Sequence, residues 1–406
     1  MGSLRRGRRR RGRQAAVPHE PEQTNKTKST TPYDPAFQQH LIDHGVFPPK
    51  YSPPNGASVP KPENIGEVRK ALGQRRASLS SGQIDLEVLF EKFEQADTTA
   101  TKECQVMASV IPIIKGDTGD PRSSASDIPF SNLEHLTDGS IVSAKPDTYD
   151  GARPEQLSKA IRIELENLVV PSAQHDLPVA PNNFLEVKGQ DGSIAVALRQ
   201  ATYDAALGSR ALRALQTYGA GSEVPYDNKA YTLAWTYLSG HLKAYATHPM
   251  PPSTPGAQPS YVITPVGSWS LTNSPESLRD GIAAYRNGRD WAKQQRDRAI
   301  MDANNVAETL ASVNEAAEEE ETSAAVEETS DAGEETSDAG EETSDAVEET
   351  TSSEHNPATH GSIDGSEDEP PADDEHPPKR LRAEEKQHPA DAAPSQGSQS
   401  REDYVS

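Results

Sequence analysis

The segment Glu186-Val187-Lys188 places an acid and a base inside an apolar stretch, Asn183–Lys188, that is predicted to be a β-strand. Side chains two residues apart in a strand point to the same face, so Glu186 and Lys188 stand side by side while Val187 turns into the core. A carboxylate and an ammonium group at the buried edge of a sheet need a compensating role, because burying charges is costly. This segment is therefore the first place on the chain where chemistry is expected.

A second carboxylate, Asp147, follows Pro146 directly after a strand-like run. Two carboxylates from neighbouring strands can hold Mg²⁺ through hard oxygen ligands. The metal and a lysine then activate water and offset the negative charge that develops on a phosphate. Asp147 and Glu186 as metal ligands, with Lys188 beside them, thus predict phosphodiester cleavage with Mg²⁺ as cofactor.

The order Pro146-Asp147 and then Glu186-Val187-Lys188 resembles the Asp…Glu-x-Lys pattern of the PD-(D/E)xK nuclease superfamily. In that superfamily a helix after the Glu-x-Lys strand packs beside the active site, and some members carry Gln and Tyr on it. The resemblance implies that Gln200 and Tyr203, which share one face of the predicted helix, help to orient the site. The implied catalytic residues are Asp147, Glu186, Lys188, Gln200 and Tyr203.

Each of these residues also has a structural interpretation. Asp147 suits a turn, which leaves Asp150 as a rival for the first carboxylate. Glu186 and Lys188 can form a side-by-side ion pair on an exposed strand face, which contributes little free energy. The two helix residues can be polar groups on a solvated face. The position of the Asp147 side chain relative to Glu186 and Lys188 separates these interpretations from catalysis.

A second resemblance covers more of the chain but implies no reaction. The chain is similar to an uncharacterised domain found in many proteins of filamentous fungi in the stretches Pro146–Pro154, Leu177–Gly192, Arg199–Ser209 and Tyr285–Ala292. The similarity spans roughly residues 100–300, within the usual size of one domain. It implies a fungal origin and a single domain, and such proteins commonly carry disordered flanks.

Charge separates the chain into three unlike parts. The net charge is +4 over residues 1–128, −2 over residues 129–306 and −25 over residues 307–406. The acidity belongs to the C-terminal part, where EETSDAG and its variant EETSDAV repeat over residues 327–347. Each repeat offers only Ala and Val as apolar groups and its glutamate pairs repel, so it predicts a disordered acidic array instead of a coiled coil.

Composition predicts four regions along the chain. They are a disordered basic head (1–32), a partly helical Pro-rich lead-in (33–83), a single globular α/β domain (84–307) and a disordered acidic repeat tail with a basic cluster (308–406). The single cysteine, Cys104, excludes an internal disulfide and favours a reducing compartment. No stretch reaches the apolar length that a membrane helix needs, so no membrane partner is expected.

Two basic clusters predict residence in the nucleus, with the cytoplasm as the alternative. Arg5–Arg13 lies in the head and Lys379–Arg382 lies in the acidic tail. Each suits a nuclear import signal, and the first can also contact nucleic-acid phosphates without sequence preference. The acidic tail suits a basic protein partner.

Periodicity predicts an α/β fold, bordering on α+β, with a mixed central sheet flanked by helices in a restriction-endonuclease-like arrangement. The predicted strands are Phe130–Leu136, Ile141–Ala144, Asn183–Lys188, Tyr231–Leu238, His241–Thr247 and Tyr261–Trp269. The predicted helices are Ala36–His44, Ile84–Ala96, Lys102–Ile114, Pro154–Asn167, Ser193–Leu215 and Ser274–Ala307.

Two functions stay open at the level of sequence. The first is a nuclear protein whose nuclease-like domain cuts or binds DNA or RNA. The second is a non-enzymatic interaction or scaffold module on the same fold, whose acidic tail binds a basic partner. The near-neutral domain favours the second, because nucleic-acid grooves are usually basic. The basic head can nevertheless supply the phosphate contacts that the domain lacks.

Overall fold

The computed structural model of the chain describes residues 2, 29–80, 82–220, 224–254 and 256–330, with side chains described as far as residue 317. Within these ranges the strands join into one mixed sheet. The strands are β1 (Val46–Phe47), β2 (Ser124–Ala125), β3 (Thr148–Ala152), β4 (Val179–Lys188), β5 (Thr232–Leu238), β6 (His241–Met250) and β7 (Ser260–Ser270). Their order across the sheet is β1-β7-β6-β5-β4-β3-β2.

Helices cover both faces of this sheet, which confirms the predicted fold class. They are α1 (Phe37–Asp43), α2 (Ile65–Leu72), α3 (Leu86–Thr99), α4 (Glu103–Gln105), α5 (Ile111–Lys115), α6 (Lys159–Glu164), α7 (Glu166–Val169), α8 (Ile194–Gln216) and α9 (Pro275–Ser330). A π-helical turn, Val106–Val110, joins α4 to α5. The core on one face includes buried residues of α2, α3, α5 and α9, and the core on the other includes residues of α1 and α8.

The centre of the sheet is a β-α-β unit with an antiparallel neighbour on each side. β4 and β5 are parallel and are connected through α8, which packs against both strands. β3 pairs antiparallel with β4, and β6 pairs antiparallel with β5 and β7. Because β3 and β4 run in opposite directions, the residue before β3 lies next to the end of β4.

One predicted turn and one predicted helix cap are confirmed at the residue level. The β5–β6 hairpin turns at Ser239-Gly240, and both residues have positive φ angles (45° and 73°), as a two-residue type I′ turn requires. Helix α9 begins at Pro275, and the backbone N–H of Ser277 donates to Ser274 Oγ over 3.2 Å. Ser274 therefore caps the helix as predicted.

Two segments predicted as strands, Phe130–Leu136 and Ile141–Ala144, are irregular instead. Their apolar residues are buried all the same: Phe130 is 2% exposed and packs edge-to-face on Tyr149 with ring centroids 5.1 Å apart. The apolar residues of these segments therefore fill the core from a loop and do not form a strand. The true neighbour of β4 is β3, so Asp147 precedes a strand and does not follow one.

The predicted helix Pro154–Asn167 is broken into shorter pieces. A 3₁₀ turn covers Pro154–Gln156, and α6 ends at Glu164 before α7 starts at Glu166. The intervening Leu165 has φ and ψ of −102° and 22°, outside the helical region. The chain therefore changes direction between α6 and α7.

Buried residues of the lead-in belong to the cores, and the last helix continues beyond Ala307. The lead-in contributes Phe37 and Leu41 from α1, and Val68 from α2, to the cores as fully buried side chains. At the other end α9 continues beyond Ala307 to Ser330, through a stretch rich in alanine and glutamate, which are strong helix formers. The basic clusters and most of the acidic repeats lie outside the described residues. No helix in the described part combines the length and apolarity of a membrane span.

Candidate active site

The Glu-x-Lys strand is β4, and its alternation places Glu186 and Lys188 on the face that packs against α8. Val187 lies on the opposite face in the core with α9. Glu186 is 0% exposed and Lys188 is 2% exposed. The interpretation of these residues as an exposed surface ion pair is therefore wrong, because both charges are buried.

Asp147 lies directly before β3 and reaches the end of β4 on the same face. The backbone N–H of Val187 donates to Asp147 Oδ2 over 2.6 Å. The backbone N–H of Asp147 donates in turn to Glu186 Oε1 over 3.3 Å. These reciprocal contacts fix the two carboxyl groups against each other across adjacent strand ends.

Lys188 lies between three carboxyl groups. Its Nζ atom is 3.7 Å from Asp147 Oδ2 and 3.8 Å from Glu186 Oε2. It also donates to Glu103 Oε2 of α4 over 3.1 Å and to the carbonyl oxygen of Val187 over 2.7 Å. Burial alone would lower the pKa of Lys188, but the neighbouring carboxylates outweigh it and raise that pKa. Lys188 is therefore the fixed cation of the cluster.

Asp204, on α8, is a fourth acid at this site that the sequence interpretation missed. It is 2% exposed and interacts with the carboxyl group of Glu186. Burial raises the pKa of Asp204 to about 7. Burial also raises the pKa of Glu186, and the charges of Asp204 and Asp147 raise it further. The signal in the sequence was an acid within an apolar helical stripe, one turn after Gln200.

Asp147 has a milder environment than the two fully buried acids. Burial raises the pKa of Asp147 to about 6, against the opposing effects of Lys188 and of the hydrogen bond from Val187. The Asp147 side chain is 13% exposed, so it is the carboxyl group nearest to solvent after Glu103. Exposure therefore falls from Glu103 and Asp147 to the fully buried pair Glu186 and Asp204.

The remaining predicted site residues take different positions. Gln200 lies one turn before Asp204 on α8, and its Oε1 atom is buried without a hydrogen-bond partner among the described residues. Tyr203 instead packs edge-to-face on Phe37, with ring centroids 6.4 Å apart, and its hydroxyl lies 3.5 Å from His135 Nδ1. Asp204, four residues after Gln200, faces the cluster. Tyr203, three residues after Gln200, faces α1 instead.

Asp150, the rival for the first carboxylate, lies on the opposite face of the sheet. Its Oδ2 atom accepts a hydrogen bond from Asn183 Nδ2 over 2.7 Å, and Asn183 Oδ1 accepts one from Trp235 Nε1 over 2.9 Å. These contacts satisfy Asp150 in the core beneath α9. Of the two candidates, Asp147 is the acid that meets Glu186 and Lys188.

The acids of the cluster fit a hard cation. Glu186 Oε2 and Asp204 Oδ2 are buried oxygens without a hydrogen-bond partner among the described residues. Buried carboxylate oxygens of this kind are the ligands that Mg²⁺ prefers. The oxygens of Asp147, Glu186 and Asp204 do not all come within 4.8 Å of one another in the described part. Asp147 and Glu186, at adjacent strand ends, are the two acids of this cluster that could hold a metal ion together.

A short segment covers the cluster on its solvent side. Glu103, whose side chain is 41% exposed, lies over Lys188 at the start of α4. The backbone of residues 101–103 packs onto Gly189, where a Cβ atom would stand 2.6 Å from the carbonyl oxygen of Thr101. A phosphate that contacts Lys188 must therefore displace the Glu103 carboxylate.

Comparison of the chain with protein-family models, with curated proteins and with solved structures returned no match. The resemblances to PD-(D/E)xK nucleases and to the fungal domain stay predictions.

Proposed function

We propose that this cluster is the active centre of an Mg²⁺-dependent phosphodiesterase that acts on DNA or RNA in the nucleus. The supporting observation is the convergence of one buried lysine with acids from two adjacent strand ends. Lys188 Nζ lies within 3.8 Å of both Asp147 and Glu186. An enclosed cation beside two closely spaced acids is the constellation that metal-assisted cleavage of a phosphate ester needs.

Each residue of the cluster has a distinct role in this proposal. Asp147 and Glu186 would hold Mg²⁺, which supplies an activated water and offsets charge on the phosphate when bound. Lys188 donates to a non-bridging phosphate oxygen once Glu103 has moved away, and so stabilises the charge of the transition state. Asp204 lies against the carboxyl group of Glu186 and restrains the orientation of that group. Gln200 offers a buried amide one turn away.

The test is a cleavage assay on the purified full chain with Mg²⁺ or Mn²⁺. Supercoiled plasmid, labelled single-stranded DNA and labelled RNA cover the substrate classes. Glu186→Gln and Lys188→Met are expected to lower the rate by about 100-fold or more, because each removes a charge that acts on the transition state. Asp191→Asn is the matched control, since Asp191 lies in the loop after β4 and its side chain is 87% exposed.

Cleavage that depends on metal, that Asp191→Asn retains and that both cluster variants lose supports the proposal. Absence of cleavage of all three substrates with either metal overturns it. Equal activity in the wild type and in Glu186→Gln also overturns it, because the nuclease activity would then come from elsewhere in the preparation.

The closed state of the cluster favours a second candidate, a non-enzymatic interaction module whose acidic tail binds a basic partner. Lys188 is 2% exposed and already hydrogen-bonded to Glu103, so its charge is paired without a ligand. Fluorescence anisotropy with a labelled lysine-rich peptide tests this candidate. Binding by the full chain that disappears when residues 331–406 are removed supports it, and equal binding by both chains contradicts it.

A further inference from the structure

A second cluster of metal-ligand side chains lies on the same sheet face, at the N-terminal segment. His40 belongs to α1 and His44 directly follows that helix, so the two imidazoles are one turn apart on one side. Their ring centroids are 4.4 Å apart. Asp138 approaches from the loop between Leu136 and Ser140, and its Oδ1 atom lies 3.1 Å from His40 Nε2. Two elements distant in sequence thus meet at three potential ligands.

The ligand atoms of these three residues lie close enough together to coordinate one metal ion. One ligand atom from each of His40, His44 and Asp138 lies within 4.8 Å of the other two, and no other trio of His, Cys, Asp or Glu side chains in the described part does so. Tetrahedral bonds of about 2.0–2.1 Å separate two ligand atoms by about 3.3 Å. His40 Nε2 lies 3.1 Å from Asp138 Oδ1, a hydrogen-bond contact whose proton a bound metal would replace.

The tautomer of His44 is fixed in the form that a metal needs. Its Nδ1 atom lies 2.8 Å from the carbonyl oxygen of His40. A carbonyl oxygen can only accept, so Nδ1 carries the proton and Nε2 carries the free lone pair. Metal-binding histidines usually donate their other ring N–H in this way, which orients the imidazole.

Helix α1, which contains His40 and is followed directly by His44, is anchored in the core. Phe37 and Leu41, on the other side of α1, are 0% exposed. The loop that carries Asp138 is held by the backbone N–H of Ser140, which donates to Asp138 Oδ1 over 3.0 Å, and by the N–H of Thr30, which donates to the carbonyl oxygen of Ser140 over 2.9 Å. Metal binding would therefore cost little reorganisation.

From these observations we infer that His40, His44 and Asp138 form a Zn²⁺ site that links α1 to the loop before Ile141. Two imidazoles and one carboxylate suit a borderline transition metal, whereas Mg²⁺ prefers oxygen ligands alone. Three protein ligands leave one coordination position for an exchangeable ligand. Both His44 and Asp138 line a cavity of about 520 Å³, which is where that position would open.

The experiment uses the untagged full chain, stripped with a chelator and titrated with Co²⁺, a visible reporter for zinc sites. We expect d–d absorption bands that saturate at one equivalent and disappear when Zn²⁺ is added. His44→Gln and Asp138→Asn should each weaken binding by at least about 10–100-fold, since even loss of an outer-sphere partner has that effect. His175→Gln is the matched control, because His175 is exposed and lies outside the trio.

Two further measurements keep the result independent of folding and of the other site. Circular dichroism and thermal unfolding of the metal-free variants should match the wild type, because the altered side chains are half-buried or exposed. Glu186→Gln should leave the Co²⁺ bands unchanged, which separates this site from the acidic cluster. Absence of saturable binding by the wild type overturns the inference, as does full binding by both His44→Gln and Asp138→Asn.

Discussion

Glu186 of β4 and Asp204 of α8 hold two carboxyl groups against each other inside the fold, and the two residues are 0% and 2% exposed. Two ionised acids in such a place would repel each other strongly, and desolvation would add to the cost. Burial raises the pKa of both acids, and the charges of Asp204 and Asp147 raise that of Glu186 further. The pair therefore retains a proton near neutral pH unless a cation compensates it.

The Glu186–Asp204 pair makes the stability of the metal-free chain depend on pH in a definite direction. An acid whose pKa is raised in the folded state binds its proton more tightly when folded, so its ionisation favours unfolding. For Asp204, with a pKa of about 7, stability is lost as the pH rises through 7. Asp204→Asn removes this charge and should stabilise the metal-free protein at pH 8 by about 1–3 kcal/mol.

The measurement is chemical unfolding of the wild type and of Asp204→Asn in chelator at pH 5 and pH 8. Taking the difference between the two proteins cancels the titrating groups that do not interact with Asp204, whereas the titration of Glu186 changes with it. The difference should be smaller at pH 5 than at pH 8, because the loss begins near the unfolded pKa of 3.8 and is complete only above a pH of about 7. A difference that is the same at both pH values would contradict the assignment of a raised pKa to Asp204.

Removal of the central cation is expected to be costly. Lys188→Met keeps the volume of the side chain but leaves Asp147 and Glu186 without their buried counter-ion. Breaking a buried ion pair in this way typically costs about 3–5 kcal/mol. The loss should be greater at pH 8 than at pH 5, because the acids can take up protons at lower pH.

Urea unfolding at the two pH values measures the effect of Lys188→Met. Lys102→Met serves as the control, because Lys102 pairs with Asp191 at the surface and both side chains are more than half exposed. It should change stability by less than about 1 kcal/mol. Equal losses for the two lysine variants would mean that Lys188 does not neutralise the cluster.

Helix α8 approaches β4 closely at Gly208, and this contact sets the distance between Asp204 and Glu186. A Cβ atom at Gly208 would lie 2.6 Å from Phe184 Cε2 and 2.7 Å from the carbonyl oxygen of Pro181. Gly208→Ala should therefore force the helix outward and destabilise the fold by about 1–3 kcal/mol. Thermal unfolding measures the change.

Gly66 provides the matched control for Gly208. It also lies in a helix, α2, but a Cβ atom there has open space within 4 Å. Gly66→Ala should stabilise the protein by up to about 1 kcal/mol, because alanine has the higher helix propensity. A Gly208→Ala variant as stable as Gly66→Ala would show that α8 can move away from β4 without cost.

The part of the site carried by β4 could be predicted because strand alternation is a local signal. Apolar residues around Glu186 and Lys188 marked a buried strand, and the period of two put both side chains on one face. β3 was missed because the sequence Thr148–Ala152 contains Asp and Gly and reads as a turn. Asp150 is tolerated there because Asn183 on the neighbouring strand donates a hydrogen bond to it and because the charges of Lys115 and Arg296 interact with it.

The sequence did not predict two acids of the cluster, Glu103 and Asp204. Both join it through tertiary contacts that no local sequence pattern encodes. Glu103 reaches Lys188 across 85 positions of the chain. Asp204 is one of several polar residues on α8, and only the packing of α8 on β4 places it beside Glu186. The irregular segment around Phe130 shows the reverse error, since an apolar pattern there fills the core without forming a strand.

Nuclear localisation stays a prediction, because both basic clusters lie outside the described residues. Replacing Lys379, Arg380 and Arg382 by alanine in a fluorescent fusion of the full chain removes the compact cluster of the tail. We expect the fluorescence to shift toward the cytoplasm, since import signals depend on their positive charge. The same replacement of Arg8, Arg9 and Arg10 compares the cluster of the head. An unchanged nuclear signal when both clusters are replaced would contradict the prediction.

The variant Glu103→Gln tests whether Glu103 is a removable cover over Lys188 or a catalytic acid. Its carboxylate pairs with Lys188, yet its side chain is 41% exposed, which is unlike the other acids of the cluster. Glu103→Gln weakens this pair without removing the segment that packs on Gly189. If Glu103 only covers the lysine, the variant should fold normally and cleave nucleic acid at least as fast as the wild type, because Lys188 is released more easily. If Glu103 binds the metal or moves a proton, the rate should fall as it does in Glu186→Gln. Steady-state cleavage rates of the two variants, measured with saturating Mg²⁺, decide between these roles.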